Sequence, residues 1–271
     1  MEPITTLLER LTAALPLALQ GDPVSVKTAR TTGRRLRVIL PLSTTVLPPK
    51  LRQRLLDGTR TLTRALGSVR DLDAQQELLA TAEMSATEEE QPGFAFAQSI
   101  LQKRRQQALK RVCRLNAAGD WLKQANQAQG TLVTMVGEEL PATAEEVHRA
   151  AQKALDFDAL IRDPKNVTEL HDLRIAVKRL RFTLSRVPET PKPLKKRIAA
   201  LQTVLGTIHD LDILRVWLRG LESEKTRRLR PTRRERESLA TVRRRLQGER
   251  ATAYLAFREQ WELALPVLQE L

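Results

Sequence analysis

Two stretches of this chain carry cations at a spacing that suits one task, holding an anion. The first is Val26-Lys27-Thr28-Ala29-Arg30-Thr31-Thr32-Gly33-Arg34-Arg35-Leu36-Arg37. The second is Leu170-His171-Asp172-Leu173-Arg174-Ile175-Ala176-Val177-Lys178-Arg179-Leu180-Arg181. An offset of 144 positions superimposes Arg30 on Arg174, Arg34 on Lys178, Arg35 on Arg179 and Arg37 on Arg181. On a helix, at about 100° per residue, His171, Arg174, Lys178 and Arg181 fall within about 80° of one another. Like charges at such spacing destabilise a helix by a few tenths of a kcal/mol per pair, and only Asp172 stands close by in sequence to offset them. A bound polyanion would supply the missing negative charge and release its own counterions. Arginine offers paired planar donors to phosphate oxygens, and lysine a point charge.

Helices must position these ridges. Leu170, Leu173, Val177, Leu180 and Leu184 form an apolar stripe beside the second ridge, and Ile175 and Phe182 lie on its other side. Cations flanked by apolar positions on both sides predict a groove wall between packed helices. Thr31 takes the place of Ile175 in the first copy, where the pattern is weaker. Leu7, Leu8, Leu11, Leu15 and Leu19 also follow helical steps, and no run alternates with the period of a strand. The expected class is all-α.

Breaks fall at Gly21-Asp22-Pro23, Pro41, Pro48-Pro49, Gln91-Pro92-Gly93, Pro141, Asp163-Pro164, Pro188 to Pro193 and Pro231. Capping boxes are expected at Thr143 with Glu146 and at Thr232 with Glu235. These cuts predict about eight helices in two four-helix units, residues 1–140 and 141–271.

The repetition extends beyond the ridges. Leu51-Arg52-Gln53-Arg54-Leu55 resembles Leu194-Lys195-Lys196-Arg197-Ile198. Leu66-Gly67-Ser68-Val69-Arg70-Asp71-Leu72-Asp73 matches Leu205-Gly206-Thr207-Ile208-His209-Asp210-Leu211-Asp212. Leu101-Gln102 with Arg105 and Ala108 matches Leu246-Gln247 with Arg250 and Ala253. Matches in the same order imply duplication of one four-helix unit. Asp71 and Asp210 are placed to orient arginines of the ridges or to bridge helices, and Gly67 and Gly206 to let helices approach closely. Residues 88–93 read as a polar loop. The Arg-rich run from Arg227 to Arg245, interrupted by Glu235 and Glu237, reads mainly as a solvated face.

Composition narrows the partner. The 271 residues include 46 Lys+Arg against 32 Asp+Glu, a formal charge of +14. Nucleic acid, an anionic membrane surface and polyphosphate are the partner classes this attracts. Five Phe, three Trp and one Tyr weigh against single-stranded nucleic acid, which stacks its bases on aromatic rings. Only 11 glycines are present, and no Gly-rich phosphate loop. The single Cys113 cannot form an internal disulfide, and His148, His171 and His209 lack metal-ligand spacing. No cofactor is implied, and no nucleophile elbow. The first ten residues lack the pattern of a signal peptide, and no apolar run is long enough to span a bilayer. A cytoplasmic protein is expected.

His171 to Arg181 resembles the signature helix of the CHAD family, the conserved histidine α-helical domain, and Leu205 to Asp212 resembles its second motif. The resemblance covers essentially the whole chain. It implies two four-helix bundles related by a pseudo-two-fold axis, with a basic groove between them that binds inorganic polyphosphate without catalysis. Attachment to polyphosphate granules is compatible with that reading. The family's basic positions fall on Arg30, Arg34, Arg35 and Arg37, and on His171, Arg174, Lys178, Arg179 and Arg181. With the matched motif cations, the candidate set also includes Lys27, Arg54, Arg70, Arg105, Arg197, His209 and Arg250. Lys27 stands where the family has histidine, and Arg70 stands opposite His209, so pH sensitivity is expected in the second half only, with binding weakening as pH rises through neutrality. The E-x-E-x-K motif of the triphosphatase module often fused to this family is absent. Non-specific nucleic-acid binding is the alternative. A phosphohydrolase using Asp71, Asp73, Asp210 and Asp212 is disfavoured, because D-x-D on a helix points its carboxylates to opposite sides.

Overall fold

The structure, a computed structural model, describes residues 3–43, 47–114, 117–131, 143–187, 190–224 and 230–271. Among them are nine α-helices: α1 (Ile4–Gln20), α2 (Pro23–Ile39), α3 (Pro49–Glu83), α4 (Gln91–Arg114), α5 (Ala117–Thr131), α6 (Ala144–Leu155), α7 (Val167–Ser185), α8 (Lys192–Glu222) and α9 (Arg233–Gln269). No strand occurs among the described residues. The helix beyond the expected eight is α5. Neither Pro nor Gly marks the chain between α4 and α5, so breaker residues gave no sign of it.

Chain contacts divide the molecule into two units. One comprises Met1–Thr81 and Gln98–Glu138, the other Ala82–Ala97 and Glu139–Leu271. A division at residue 140 alone would leave 82–97 with the first unit. Their contacts are with the second. Pro141, Pro188 and Arg227 fall outside the described residues.

In the first unit, Leu7, Leu8, Leu11 and Leu15 of α1 are fully buried with Val26, Ala29 and Leu36 of α2. Gly21 ends α1 at a φ of 91°, in the left-handed region that glycine enters without steric cost. The next helix begins at once. The Asp22 carboxylate accepts from the Ser25 N–H at 2.7 Å, with Pro23 in the first turn where its missing N–H costs nothing. That hydrogen bond holds Asp22 below the usual carboxylate range. Trp121 of α5 is wholly buried, and its indole N–H donates to Thr59 Oγ1 of α3 at 2.9 Å.

In the second unit, both expected capping boxes are formed, at Thr143 with Glu146 and at Thr232 with Glu235. The core stacks Tyr254, Phe257 and Trp261 of α9 against Leu173, Val177 and Leu180 of α7 and Leu201 and Leu205 of α8. Trp261 donates to Asp158 Oδ1 at 2.6 Å, and this bond lowers the Asp158 pKa.

Segment 82–97 is anchored to α9 in the same unit. Glu90, only 1% exposed, accepts from Arg245 Nε through both oxygens at 3.0 Å. Arg245 also donates to the Ala82 carbonyl at 2.9 Å and lies over the Phe94 ring. The Gly93 N–H donates to Ser238 Oγ at 2.8 Å, and a β-carbon at Gly93 would lie 2.9 Å from the Leu239 nitrogen. Only glycine permits backbone to approach backbone this closely.

Candidate anion-binding site

The first ridge lies along α2. Lys27, Arg34, Arg35 and Arg37 are exposed, and Arg30 is partly buried. Gly33, on the inner face, brings α2 onto α3: a β-carbon there would sit 2.4 Å from Thr63 Cγ2. Thr63 cannot easily yield, since its hydroxyl donates to the Thr59 carbonyl at 2.8 Å. The close approach aligns two rows of guanidinium groups. Arg30, Arg34 and Arg37 of α2, with Arg60, Thr63 and Arg64 of α3, line a depression of about 290 Å³.

Arg30 is held by Asp71 at 3.3 Å, one of the two roles foreseen for that carboxylate. Arg60 pairs with Asp57 at 3.1 Å, both exposed. Arg34, Arg37 and Arg64 make no ion pair among the described residues. Arg60 and Arg64 stand outside the cations expected from the sequence. Their signal in the sequence is a pair of cations four residues apart on α3 with no equivalent in the second half.

The second ridge lies along α7, where Lys178, Arg179 and Arg181 are exposed and His171 and Arg174 partly buried. Ile175 is 46% exposed and Phe182 59% exposed. The expectation that apolar positions would wall the cations on both sides therefore fails: the core takes only the Leu170–Leu184 stripe, and Ile175 and Phe182 face solvent. Arg181 donates to Gln202 Oε1 of α8 at 3.2 Å. The Arg174 Nε is buried without a hydrogen-bond partner. Lys178 and Arg179 make no ion pair among the described residues.

His171 of α7 and His209 of α8 meet Nδ1 to Nδ1 at 3.1 Å, with ring centroids 4.5 Å apart. One nitrogen must donate and the other accept, so at least one ring is neutral in this arrangement. Burial lowers the His209 pKa below its usual 6.5, helped by Arg174 and His171 and opposed by Asp212. Beside it, burial raises the Asp210 carboxyl above its usual range, against the pull of Arg174.

The two carboxylates of each D-x-D motif part company. Asp71 and Asp210 lie near Arg30 and Arg174 of the ridges. Asp73 and Asp212 turn inward. Arg105 of α4 donates to Asp73 at 2.5 Å and to the Gly21 carbonyl at 2.5 Å. Arg250 of α9, 6% exposed, donates to Asp212 Oδ1 at 2.8 Å and Oδ2 at 3.3 Å. Arg215 adds a third bond to Asp212 at 3.2 Å.

Several candidate cations are thus committed internally. Besides Arg105 and Arg250, Arg70 is held by Glu77 at 2.8 and 3.1 Å, and Lys27 lies near enough to help depress the Glu77 pKa. Arg197 donates to the Leu263 carbonyl at 2.8 Å. Arg54 is exposed on α3. In the described part of the Arg-rich run, Arg233, Arg243 and Arg245 pair with Glu237, Glu222 and Glu90.

The glycines differ from expectation. Gly206 has no atom near where a β-carbon would stand, and at Gly67 the nearest is Arg30 Nε at 3.8 Å. Close contacts with other elements fall instead at Gly21, Gly33, Gly58 and Gly93, against Leu109, Thr63, Trp121 and Ser238.

The CHAD domain family model matches residues 4–219. The chain belongs to the CHAD-domain family. Its CHAD fold is similar to that of PptA from Streptomyces chartreusis, at a TM-score of 0.59 and 14% identity, covering 95% of this chain and 96% of that one. It is also similar to the CHAD domain from the plant Ricinus communis, at a TM-score of 0.56 and 23% identity, covering 94% and 88%. No curated protein matches the sequence. Among the described residues, no helix of this CHAD protein is long and apolar enough to cross a membrane.

Proposed function

We propose that this CHAD-domain protein binds inorganic polyphosphate without cleaving it, with the ridges of α2 and α7 as the contacting surfaces. The observation that carries this reading is the set of ridge cations without acidic partners: Arg34 and Arg37 on α2, Lys178 and Arg179 on α7. Aligned cations without carboxylates suit a ligand that brings a row of negative charges. A non-catalytic role is supported by the fate of the motif carboxylates, since Asp73 and Asp212 are already bound to guanidinium groups. Matched ion pairs, Asp73–Arg105 and Asp212–Arg250, support reading the halves as copies of one ancestral unit. Attachment to polyphosphate granules in the cytoplasm is compatible with the same proposal.

A titration with polyphosphates of graded length tests it. Affinity is expected to rise with length and to fall steeply with salt, because longer chains release more counterions. Equal affinity for orthophosphate and long chains would overturn the proposal. So would displacement of polyphosphate by duplex DNA at equal phosphate concentration, which would favour a nucleic-acid ligand.

The histidine pair sets the pH dependence. The folded pKa of His209 lies below the unfolded value of 6.5, so the folded protein binds fewer protons than the unfolded chain. Its contribution to stability is full above pH 6.5 and is lost as pH falls from there through the folded pKa. A bound polyanion reverses the preference by favouring the imidazolium. Polyphosphate affinity is therefore expected to rise on acidification, from the His209 pKa in the complex down to its lowered pKa in the free protein, with proton uptake on binding. The lower edge of that window lies on the acid side of the one expected from an ordinary histidine. Calorimetry in buffers of different ionisation enthalpy reads the uptake, and H209N should abolish it. Equal uptake by wild type and H209N would remove His209 from the site.

A further inference from the structure

The two ridges are not equivalent. On α2 the cations face a second cationic row on α3, drawn close by the Gly33–Thr63 contact. On α7 the facing helix is α8. The register that superimposes Leu66-Gly67 on Leu205-Gly206 places Ala199 and Thr203 opposite Arg60 and Arg64. The register of the Leu51 and Leu194 blocks places Thr203 and Thr207 there. Neither supplies a cation, and Gln202 answers Arg181 with a neutral amide.

We propose that the arginine cleft between α2 and α3 is the dominant anchoring subsite and holds a short linear oligophosphate by itself, with Arg60 and Arg64 as contacting residues. This rests on the polyphosphate reading and goes beyond it by assigning unequal work to the ridges. Arg30 to Arg37 span about 10 Å of helix axis and Arg60 to Arg64 about 6 Å, so a few consecutive phosphates can meet guanidinium groups from both sides. Two facing rows of planar donors satisfy oxygens on opposite sides of a tetrahedral phosphate, which one ridge cannot do. The internal pairs do not block this. Arg60–Asp57 is an exposed pair between residues three apart, of a kind that contributes little and yields readily to a stronger anion. Arg30–Asp71 involves a carboxylate that is 66% exposed. The lining has no aromatic or apolar wall for a nucleobase, so the phosphate chain alone is recognised.

The test is calorimetric titration of the full chain with tripolyphosphate at low salt, using wild type, R60Q/R64Q and K178Q/R179Q, with long-chain polyphosphate and ATP as parallel ligands. R60Q/R64Q is expected to weaken tripolyphosphate binding tenfold or more, and K178Q/R179Q less than twofold. Equal losses in the two variants would overturn the assignment. ATP should bind no more tightly than tripolyphosphate; tighter binding would make the cleft a nucleotide site and overturn it. Long-chain binding by wild type without tripolyphosphate binding would overturn the cleft and leave the wider reading intact. Tripolyphosphate binding that depends on Arg60 and Arg64, without long-chain binding, would keep the cleft and overturn the wider reading.

Discussion

Replacing Arg34, Arg37, Lys178 and Arg181 together by glutamate is expected to abolish polyphosphate binding at moderate salt, and to flatten the salt dependence of what remains at low salt, while leaving helicity unchanged. All four side chains are exposed, and their internal engagement is slight: Arg181 gives one hydrogen bond to Gln202, and the others make no ion pair among the described residues. The variant therefore loses little that holds the fold. It loses four cations from the ridges and gains four repelling charges. Each lost phosphate contact lowers the slope of log affinity against log salt by roughly 0.7–0.9, so four contacts remove about 3 from that slope. The measurement is a salt series with long-chain polyphosphate, beside circular dichroism of the same samples. An unchanged slope would place the ligand elsewhere, with the Arg-rich start of α9 the first surface to examine.

The second large effect is on stability, and it separates the two carboxylates of one motif. Asp212 accepts from the buried Arg250 and also from Arg215. D212A leaves those guanidinium groups without their acceptor in a site that water reaches poorly. Breaking a buried pair from one side costs about 3–5 kcal/mol. D212L/R250M removes both charges and should recover more than half of that loss, since apolar replacement of both partners is often neutral. D71A removes a surface carboxylate from Arg30 and should cost less than about 1 kcal/mol. Urea denaturation followed by helicity checks all three. Similar losses in D71A and D212A would show that burial does not distinguish the pairs. Arg250 and Arg105, grouped in the sequence with the ridge cations, are thereby given structural work.

The fold was readable where chemistry is local. Helical periodicity in α1, α2 and α7, the Asp22-Pro23 start of α2, and the capping boxes of α6 and α9 each depend on residues within one or two turns. The ridges were readable for the same reason. What failed depended on distance in the chain. Nothing local says that Arg105 reaches Asp73, or that Ile175 and Phe182 stay exposed beside a row of cations. Burial of a flanking residue is decided by which helix packs there, and periodicity cannot tell the two sides of a ridge apart. Arg60 and Arg64 were hidden because the motifs shared by the two halves drew attention to matched positions, and these two have no counterpart in the second half. The glycine motif misled in a related way. Gly67 and Gly206 recur and meet nothing closer than 3.8 Å, whereas Gly33 and Gly93, outside the repeated motif, are among the glycines at close contacts.

The second unit is assembled from two separate stretches of chain. Glu90 and Arg245 lie 155 positions apart, yet they form the clasp that holds 82–97 against α9. A cut at the boundary between the halves would therefore part Arg245 from the acid it holds. A second half made alone would begin with its clasp open, because the acid that closes it is encoded near the middle of the first. Recombination at the repeat boundary would have to carry a short stretch of the foreign first half along with the second.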